Sequence, residues 1–317
     1  MLTAAKLLFA LFLLLGGIRI LTLSLQTMSG GLFHRLLRYY SNTNLQGFLL
    51  GVAATFFLQS SSAVSVIAIA FINGGFLTLR QGLSIIIGAN VGTTITSQFF
   101  SLELRNLLLP LATAGLLLYF VERIIKKNLG GCVLLGIGAV LAGIEMLIYT
   151  LGPLTMAPFF QDILLFSRGS PWKGMLIGTL LAGILQSSSV TAGMVVLLAR
   201  ERILNLPEAL AIVIGADLGT CVTSLLASVG TVLPARQLAL GHVAFNFISI
   251  LLMLPIWPYF ITLVELTAGD PGRQVANAHL FYNLLGAFIL LPLLDLYVFC
   301  CSDKILSEKW GKGKDNG

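Results

Sequence analysis

Hydrophobic residues dominate the chain in long runs, and most of these runs are close to the length of one membrane crossing. Residues 7–25, 79–100, 107–120 and 132–151 are of this kind. A helix needs about 20 apolar residues to cross the hydrocarbon core of a bilayer. The pattern predicts an all-α polytopic membrane protein with room for roughly six to ten helical segments and almost no domain outside the membrane.

Two hydrophobic segments are too long for a single crossing. As one helix, residues 45–73 or residues 172–200 would extend about 43 Å, whereas the hydrocarbon core is about 30 Å thick. A polar tetrapeptide, Gln-Ser-Ser-Ser, lies near the middle of each segment. We therefore predict that each segment is a re-entrant hairpin of two half-helices that meet at the tetrapeptide.

The second half of the chain repeats the first. Residues 59–62 return 127 positions later as residues 186–189, and the match continues without a gap over roughly fifty residues. It includes Gly-Ala-Asn-Val-Gly-Thr-Thr at 88–94, which returns as Gly-Ala-Asp-Leu-Gly-Thr-Cys at 215–221. Corresponding polar interruptions in two apolar halves indicate a substrate site near the midplane of a secondary transporter.

The number of crossings between the two tetrapeptides predicts how the repeats are oriented. Three full spans, 79–100, 107–120 and 132–151, separate the tetrapeptides, and an odd number inverts the second repeat relative to the first. We therefore predict two inverted-topology repeats. The predicted organisation is a first repeat at 1–125, a second at 126–235, additional transmembrane helices at 236–300 and a basic tail at 301–317.

The span after each hairpin contains glycine and threonine among its apolar residues. These spans are residues 79–100 and 206–229. Glycine weakens a helix, and nearby polar groups can satisfy the backbone groups that an opening would free. We predict that each of the two spans is an interrupted transmembrane helix.

Composition and charge agree with a membrane protein. Hydrophobic residues make up 57% of the chain and charged residues 10%, whereas about a quarter of the residues in a soluble domain are charged. The mean hydropathy is +0.95. The net charge of +6 does not indicate nucleic acid, because the basic residues are scattered in short loops and the tail, where they act as topology signals and lipid headgroup contacts. The four cysteines have no metal-ligand or disulfide spacing.

The tetrapeptides have the chemistry of an oxyanion receptor without fixed positive charge. Each supplies one amide and three hydroxyls, and a half-helix that begins there adds backbone N–H groups and its positive dipole end. Neutral donors suit reversible binding, since buried Arg or Lys would hold phosphate strongly. The candidate oxyanion-binding residues are Gln59, Ser60, Ser61, Ser62, Gln186, Ser187, Ser188 and Ser189.

A divalent anion in the middle of the membrane needs charge compensation, and neither tetrapeptide contains Lys or Arg. A cation such as sodium is the expected solution, held by oxygen atoms of unwound backbone near residues 90–94 and 217–220. Asp217 is the acidic residue of these motifs, and its counterpart is the neutral Asn90. An ionisable group at this depth is functional by default, which favours a cation or proton role over a structural pair with a neighbouring donor.

Other polar residues in apolar surroundings are candidates for a supporting role. Glu145 is a second cation candidate, and Arg19 is its counterpart under a looser alignment of the repeats, so the two are expected to pair. The pattern His-x-x-x-Asn occurs at His242 and Asn246 and again at His279 and Asn283. Because residues one turn apart share a helix face, we interpret these as interhelical hydrogen-bonding pairs rather than as proton carriers.

The paired Gln-Ser-Ser-Ser tetrapeptides, each followed by a Gly-Ala-Asn-x-Gly-Thr-type motif, resemble the type II sodium/phosphate cotransporter family over about residues 10–300. The resemblance implies sodium-driven movement of inorganic phosphate by alternating access, with the tetrapeptides binding phosphate or sodium. Asp217 stands where the family pattern has asparagine, and Cys221 where threonine is common, which affects ion stoichiometry. Beside Asp217, the sodium-site residues that the resemblance implies are Asn90, Thr93, Thr94, Thr220 and Thr223.

The compact chain resembles a prokaryotic member of that family, for which export of phosphate is as conceivable as uptake. We expect a multi-pass protein of the plasma (inner) membrane that is not an enzyme and needs no cofactor, with sodium as its only metal ion. The expected partners are inorganic phosphate, sodium and the lipid bilayer, with a homodimer as an open alternative.

Three other functions stay open from the residues alone. The same donors could hold sulfate, arsenate or a small carboxylate, and a channel would also need a polar path. An intramembrane serine hydrolase is the remote alternative, since a duplicated serine triplet without a Gly-x-Ser-x-Gly elbow suits a single nucleophile poorly.

Overall fold

The computed structural model describes residues 43–102, 108–125, 130–154 and 169–301, together with scattered positions between 5 and 24 and residues 162 and 166. All regular secondary structure in this part of the chain is helical, in agreement with the predicted all-α class. Three of the described helical stretches are long and apolar enough to cross a membrane: Leu79–Phe100, Leu206–Ser228 and Leu233–Glu265.

The first half contributes five described helices. Thr43 caps the first of them and Thr78 the third, each in a capping box with a glutamine three residues later, which fixes where these helices begin. The five helices are α1 (Asn44–Leu58), α2 (Ser61–Asn73), α3 (Leu79–Phe100), α4 (Leu108–Ile125) and α5 (Gly131–Leu154).

The second half repeats the helix starts of the first. Helices α6, α7 and α8 begin 127 positions after α1, α2 and α3, so the sequence repeat is also a repeat of local structure. Whether the second repeat is inverted stays a prediction. The described helices of this half are α6 (Pro171–Leu185), α7 (Ser188–Arg200), α8 (Leu206–Gly219) and α9 (Cys221–Ser228).

Two of the remaining described helices lie against both repeats. Helix α10 contacts α2, α3, α8 and α9, and helix α12 contacts α3, α7 and α8. These contacts place α10 and α12 where they can join the spans of the two halves. The helices are α10 (Leu233–Met253), α11 (Trp257–Glu265), α12 (Pro271–Leu290) and α13 (Leu294–Cys301), with a 3-10 turn at Leu254–Ile256.

The predicted interruption occurs in the second span only as a single turn residue, Thr220, whose φ and ψ angles stay helical, and it does not occur in the first. Helix α8 ends at Gly219 and α9 begins at Cys221, whereas α3 is continuous. The predictions of an interrupted helix at 79–100 and of unwound backbone near residues 90–94 are therefore wrong. The hydroxyls of Thr93 and Thr94 donate to carbonyl oxygens of their own helix, at 3.1 and 2.7 Å, so α3 accommodates its polar side chains without opening.

The glycines of these spans serve close helix packing instead. A Cβ atom at Gly88 would lie 1.9 Å from the carbonyl oxygen of Phe48, and one at Gly215 would lie 1.9 Å from the carbonyl oxygen of Met175. Small residues allow the backbones of neighbouring membrane helices to approach this closely. The motif glycines thus position α1 against α3 and α6 against α8.

Gly88→Ala is expected to lower the free energy of unfolding by about 2 kcal/mol or more, because the added methyl group must displace backbone rather than a flexible side chain. Thermal unfolding of the purified protein in detergent measures this change. Gly269→Ala is the matched control, since no described heavy atom lies within 4 Å of its added Cβ. Equal unfolding midpoints for the two variants would contradict the packing role of Gly88.

Candidate functional site

The two Gln-Ser-Ser-Ser tetrapeptides form matched helix breaks. Gln59 ends α1 at φ 50° and ψ 27°, and Gln186 ends α6 at φ 54° and ψ 29°. Residues other than glycine rarely adopt this left-handed conformation. Each glutamine amide bonds back into its own helix, Gln59 Nε2 to the carbonyl oxygen of Phe56 at 2.6 Å and Gln186 Nε2 to that of Gly183 at 2.5 Å. The same uncommon geometry at equivalent positions indicates that the break is a built feature of each repeat.

The first serine of each tetrapeptide starts the next helix. Ser60 Oγ accepts a hydrogen bond from the backbone N–H of Ala63 at 3.1 Å, and Ser187 Oγ accepts one from that of Val190 at 3.2 Å. A serine at this position satisfies one of the backbone donors that a helix start leaves without an intrahelical partner. Ser60 and Ser187 are thus N-caps, which orient the beginnings of α2 and α7.

The second and third serines of each tetrapeptide do not cap a helix. Ser61, Ser188 and Ser189 are buried and Ser62 is half-buried. Among the described residues, none of these four hydroxyls has a hydrogen-bond partner. Together with the first backbone N–H groups of α2 and α7, they can donate to an oxyanion.

The helices that begin at the tetrapeptides cross between the repeats. Besides the span of its own repeat, α2 contacts α9 of the second repeat, and α7 contacts α3 of the first. Thr96 of α3 also reaches its own repeat's break, where its hydroxyl donates to Gln59 Oε1 at 3.3 Å. The two repeats therefore interlock and do not pack as separate units.

His242 bridges the spans of the two repeats. On α10, its Nδ1 lies 2.8 Å from Ser224 Oγ of α9, and its Nε2 lies 3.3 Å from Asn90 Oδ1 of α3. Asn90 Nδ2 in turn donates to Asn246 Oδ1 at 2.7 Å. We call Asn90, His242 and Asn246 the neutral cluster.

His279 makes the corresponding bridge with the two repeats exchanged, since its Nδ1 faces the first repeat and its Nε2 faces the second. On α12, its Nδ1 lies 2.8 Å from Ser97 Oγ of α3, and its Nε2 lies 3.1 Å from Asp217 Oδ2 of α8. Asn283 Nδ2 also donates to Asp217 Oδ2, at 2.8 Å. We call Asp217, His279 and Asn283 the acidic cluster; its three side chains are buried, like those of the neutral cluster.

The hydroxyls of the remaining predicted sodium residues bond to nearby backbone carbonyl oxygens. Besides Thr93 and Thr94, the hydroxyl of Thr220 donates to the carbonyl oxygen of Asp217 at 2.9 Å, and that of Thr223 donates to the carbonyl oxygen of Thr220 at 2.6 Å. Arg19 is exposed, and the side chain of Glu145 lies outside the described residues, so their pairing stays a prediction.

Sequence reasoning assigned no role to several residues that the structure brings into the site. Ser97 and Ser224 hold the two histidines, Thr96 holds Gln59, and Cys221 Sγ accepts from Asn246 Nδ2 at 3.2 Å. The sequence offered one sign that Ser97 and Ser224 matter, because serine occupies both of these equivalent positions, 127 residues apart. Nothing in that repetition could indicate that each serine faces a histidine of a later helix.

Comparison with known proteins gives consistent matches over most of the chain. The sequence profile of the Na⁺/Pi-cotransporter family matches residues 13–148 and 155–273. YqeW of Bacillus subtilis (strain 168) is 34% identical over 257 residues, which cover 81% of this chain and 83% of YqeW. YjbB of Escherichia coli (strain K12), whose name describes a proposed inorganic phosphate export protein, is 28% identical over 269 residues. That match covers 85% of this chain and 49% of YjbB, so the chain spans about half the length of this relative.

A shorter match reaches a human protein. The sodium-dependent phosphate transport protein 2B of Homo sapiens is 34% identical over 70 residues, which are 20% of this chain and 10% of that protein. No solved structure matches the chain. The profile match includes both tetrapeptides and the neutral cluster. The chain thus belongs to the Na⁺/Pi-cotransporter family.

Proposed function

We propose that the chain is a secondary active transporter that couples sodium to the movement of inorganic phosphate across the plasma membrane by alternating access. The observation that carries this proposal is the matched pair of helix breaks. Each break presents two serine hydroxyls without a partner among the described residues, at the start of a helix. A tetrahedral oxyanion needs several donors on different sides, and two such helix starts supply them.

The charge balance supports sodium as the coupling ion. The tetrapeptides contain no basic residue, so their donors do not neutralise the phosphate charge. The acidic cluster adds a buried carboxylate, which His279 links to the span of the first repeat, and an ionisable group inside a membrane protein marks an ion or proton pathway by default. Binding of sodium together with phosphate would reduce the cost of moving the anion through the bilayer.

The bridging histidines suggest how the site changes between its two orientations. His242 and His279 each bond to a span of the first repeat and a span of the second. A displacement of one repeat against the other must therefore break or exchange these hydrogen bonds. Buried bonds of this kind are lost as a set, which favours two discrete arrangements over a continuous series.

The direction of net transport can be measured by phosphate flux in both directions across the membrane. The match to YjbB, which is named for phosphate export, favours measurement in both directions. An alternating-access carrier works reversibly, so the sodium and phosphate gradients decide the direction. We therefore expect phosphate to follow an imposed sodium gradient from either side of the membrane.

Radiolabelled phosphate flux in proteoliposomes tests the proposal. Saturable accumulation above equilibrium is expected with an inward sodium gradient and not with choline in place of sodium, and a sodium ionophore should abolish it. Protein-free liposomes are the control. Absence of phosphate flux in either direction by folded protein would refute the proposal, and competition by sulfate, arsenate and small carboxylates would then identify another oxyanion.

A further inference from the structure

We propose that Asn283 is a ligand of the coupling cation, which its side-chain oxygen Oδ1 binds together with the carboxylate of Asp217. This inference rests on the proposed sodium coupling and adds a ligand from α12, a helix outside both repeats. It assigns the cation to the acidic cluster alone and leaves the neutral cluster without one.

The first support is a difference in hydrogen bonding between the two clusters. In the neutral cluster, Asn246 Oδ1 accepts a hydrogen bond from Asn90 Nδ2 at 2.7 Å. In the acidic cluster Asp217 stands in place of Asn90 and has no amide to donate. Asn283 Oδ1 is consequently buried without a hydrogen-bond partner among the described residues. A buried polar atom without a partner carries a desolvation cost, which a bound cation would remove.

The orientation of the Asn283 amide is well determined. Its Nδ2 donates to Asp217 Oδ2 at 2.8 Å and to the carbonyl oxygen of His279 at 3.1 Å. Rotation of the amide by 180° would turn Oδ1 toward these two acceptors and remove both bonds. The atom without a partner is therefore the oxygen, which is a ligand for a hard cation and not for an anion.

The second support is the charge of Asp217. This carboxylate is 3% exposed and receives hydrogen bonds from His279 and Asn283. A carboxylate can only accept, so His279 Nε2 donates to it, and a neutral imidazole then leaves Nδ1 to accept from Ser97. With His279 neutral, the cluster has one negative charge, which a monovalent cation would neutralise, whereas a protonated His279 would itself pair with Asp217.

Asp217 forms no ion pair with a Lys or Arg side chain among the described residues. The other titratable side chains close enough to interact electrostatically with Asp217 are Cys221, His242 and Tyr282. The basic side chains on the helices that pack against α8 are engaged elsewhere or exposed. Arg200 at the end of α7 pairs with Asp270 at 3.3 Å, Arg273 of α12 donates to Ser101 Oγ at 2.9 Å, and Lys173 of α6 and Arg236 of α10 are exposed. The described residues also contain no group of three or more His, Cys, Asp and Glu side chains that could hold a metal ion. One carboxylate and one amide oxygen suit sodium rather than a transition metal.

Sodium binding to the purified full-length protein, without phosphate, tests this inference. The thermal unfolding midpoint is followed while sodium replaces choline at constant ionic strength, at pH 6 and at pH 8. For Asn283→Ala, the sodium concentration that gives half of the stabilisation should rise at least tenfold. Asn246→Ala removes the equivalent amide of the neutral cluster, and its half-saturating sodium should stay within about threefold of wild type, a change of less than 1 kcal/mol.

The possible outcomes separate the inference from the proposed function. Unchanged sodium affinity in Asn283→Ala, with wild-type protein that transports phosphate, overturns the inference only. Sodium binding that needs Asn283, in a protein without phosphate flux, supports the cation site and refutes the proposed function. A midpoint that responds to acidification and not to sodium would assign the site to a proton and overturn the inference. If Asn283→Ala does not fold, Asp217→Asn supplies the same test, because its amide can donate to Asn283 Oδ1.

Discussion

Ser61→Ala and Ser188→Ala are each expected to raise the phosphate concentration for half-maximal transport by about tenfold to a hundredfold. Each change removes one hydroxyl donor to a charged ligand, worth about 1.5–3 kcal/mol, and each 1.4 kcal/mol is a factor of ten in affinity. The stability of the protein should change little, since neither hydroxyl has a hydrogen-bond partner among the described residues. Radiolabelled phosphate uptake at a fixed sodium gradient measures the effect.

Ser228→Ala is the matched control for the two serine variants. Ser228 is also a buried serine of a repeat, but its hydroxyl donates to the carbonyl oxygen of Leu225 at 2.8 Å. Its half-saturating phosphate concentration should therefore match that of wild type. Wild-type kinetics in both Ser61→Ala and Ser188→Ala would remove the tetrapeptides from the phosphate site.

Asp217→Asn is expected to abolish the stabilisation by sodium and to raise the stability of the sodium-free protein. The substitution recreates the neutral cluster, in which the amide of Asn90 satisfies Asn246 Oδ1. It removes a buried charge and gives Asn283 Oδ1 a donor, and satisfying such an atom is worth about 1–3 kcal/mol. Thermal unfolding in choline buffer measures the gain, and the sodium dependence of phosphate uptake measures the loss.

The reverse substitution in the neutral cluster controls for this variant. Asn90→Asp removes the donor to Asn246 Oδ1 and buries a charge, so it should lower the unfolding midpoint in choline. A sodium activation curve of Asp217→Asn that matches wild type would exclude Asp217 from the cation site. Equal midpoints of the two variants would contradict the difference in charge and bonding between the clusters.

Much of the local structure of this protein could be predicted from its sequence. The two long apolar segments were predicted to divide at their tetrapeptides, and α1 and α6 do end directly before Gln59 and Gln186. Helix caps, apolar runs and breaks depend on neighbouring residues, so they can be inferred from short stretches. The continuity of α3 could not, because glycine that weakens an isolated helix is also the residue that close packing requires.

The candidate site was predicted in part. Both tetrapeptides, Asp217 and the two His-x-x-x-Asn pairs were identified, and the structure brings Asp217 to His279 and Asn283 across 62 and 66 residues of sequence. The threonines of the sodium motifs were assigned from the resemblance, but in the structure their hydroxyls donate to backbone carbonyl oxygens three or four residues earlier in the chain.

The sequence by itself determined the helical class, the duplication and the helix breaks at the two tetrapeptides, since these follow from hydrophobic patterning and local capping. Only the tertiary structure decided which copies of the repeated residues meet. His242 and His279 occur in the same sequence pattern, yet one faces Asn90 and the other faces Asp217, 62 residues away. Such pairings depend on how α10 and α12 pack against both repeats. This packing gives Asn246 Oδ1 a hydrogen-bond donor and leaves Asn283 Oδ1 without one, in the side chain that bonds to the buried Asp217.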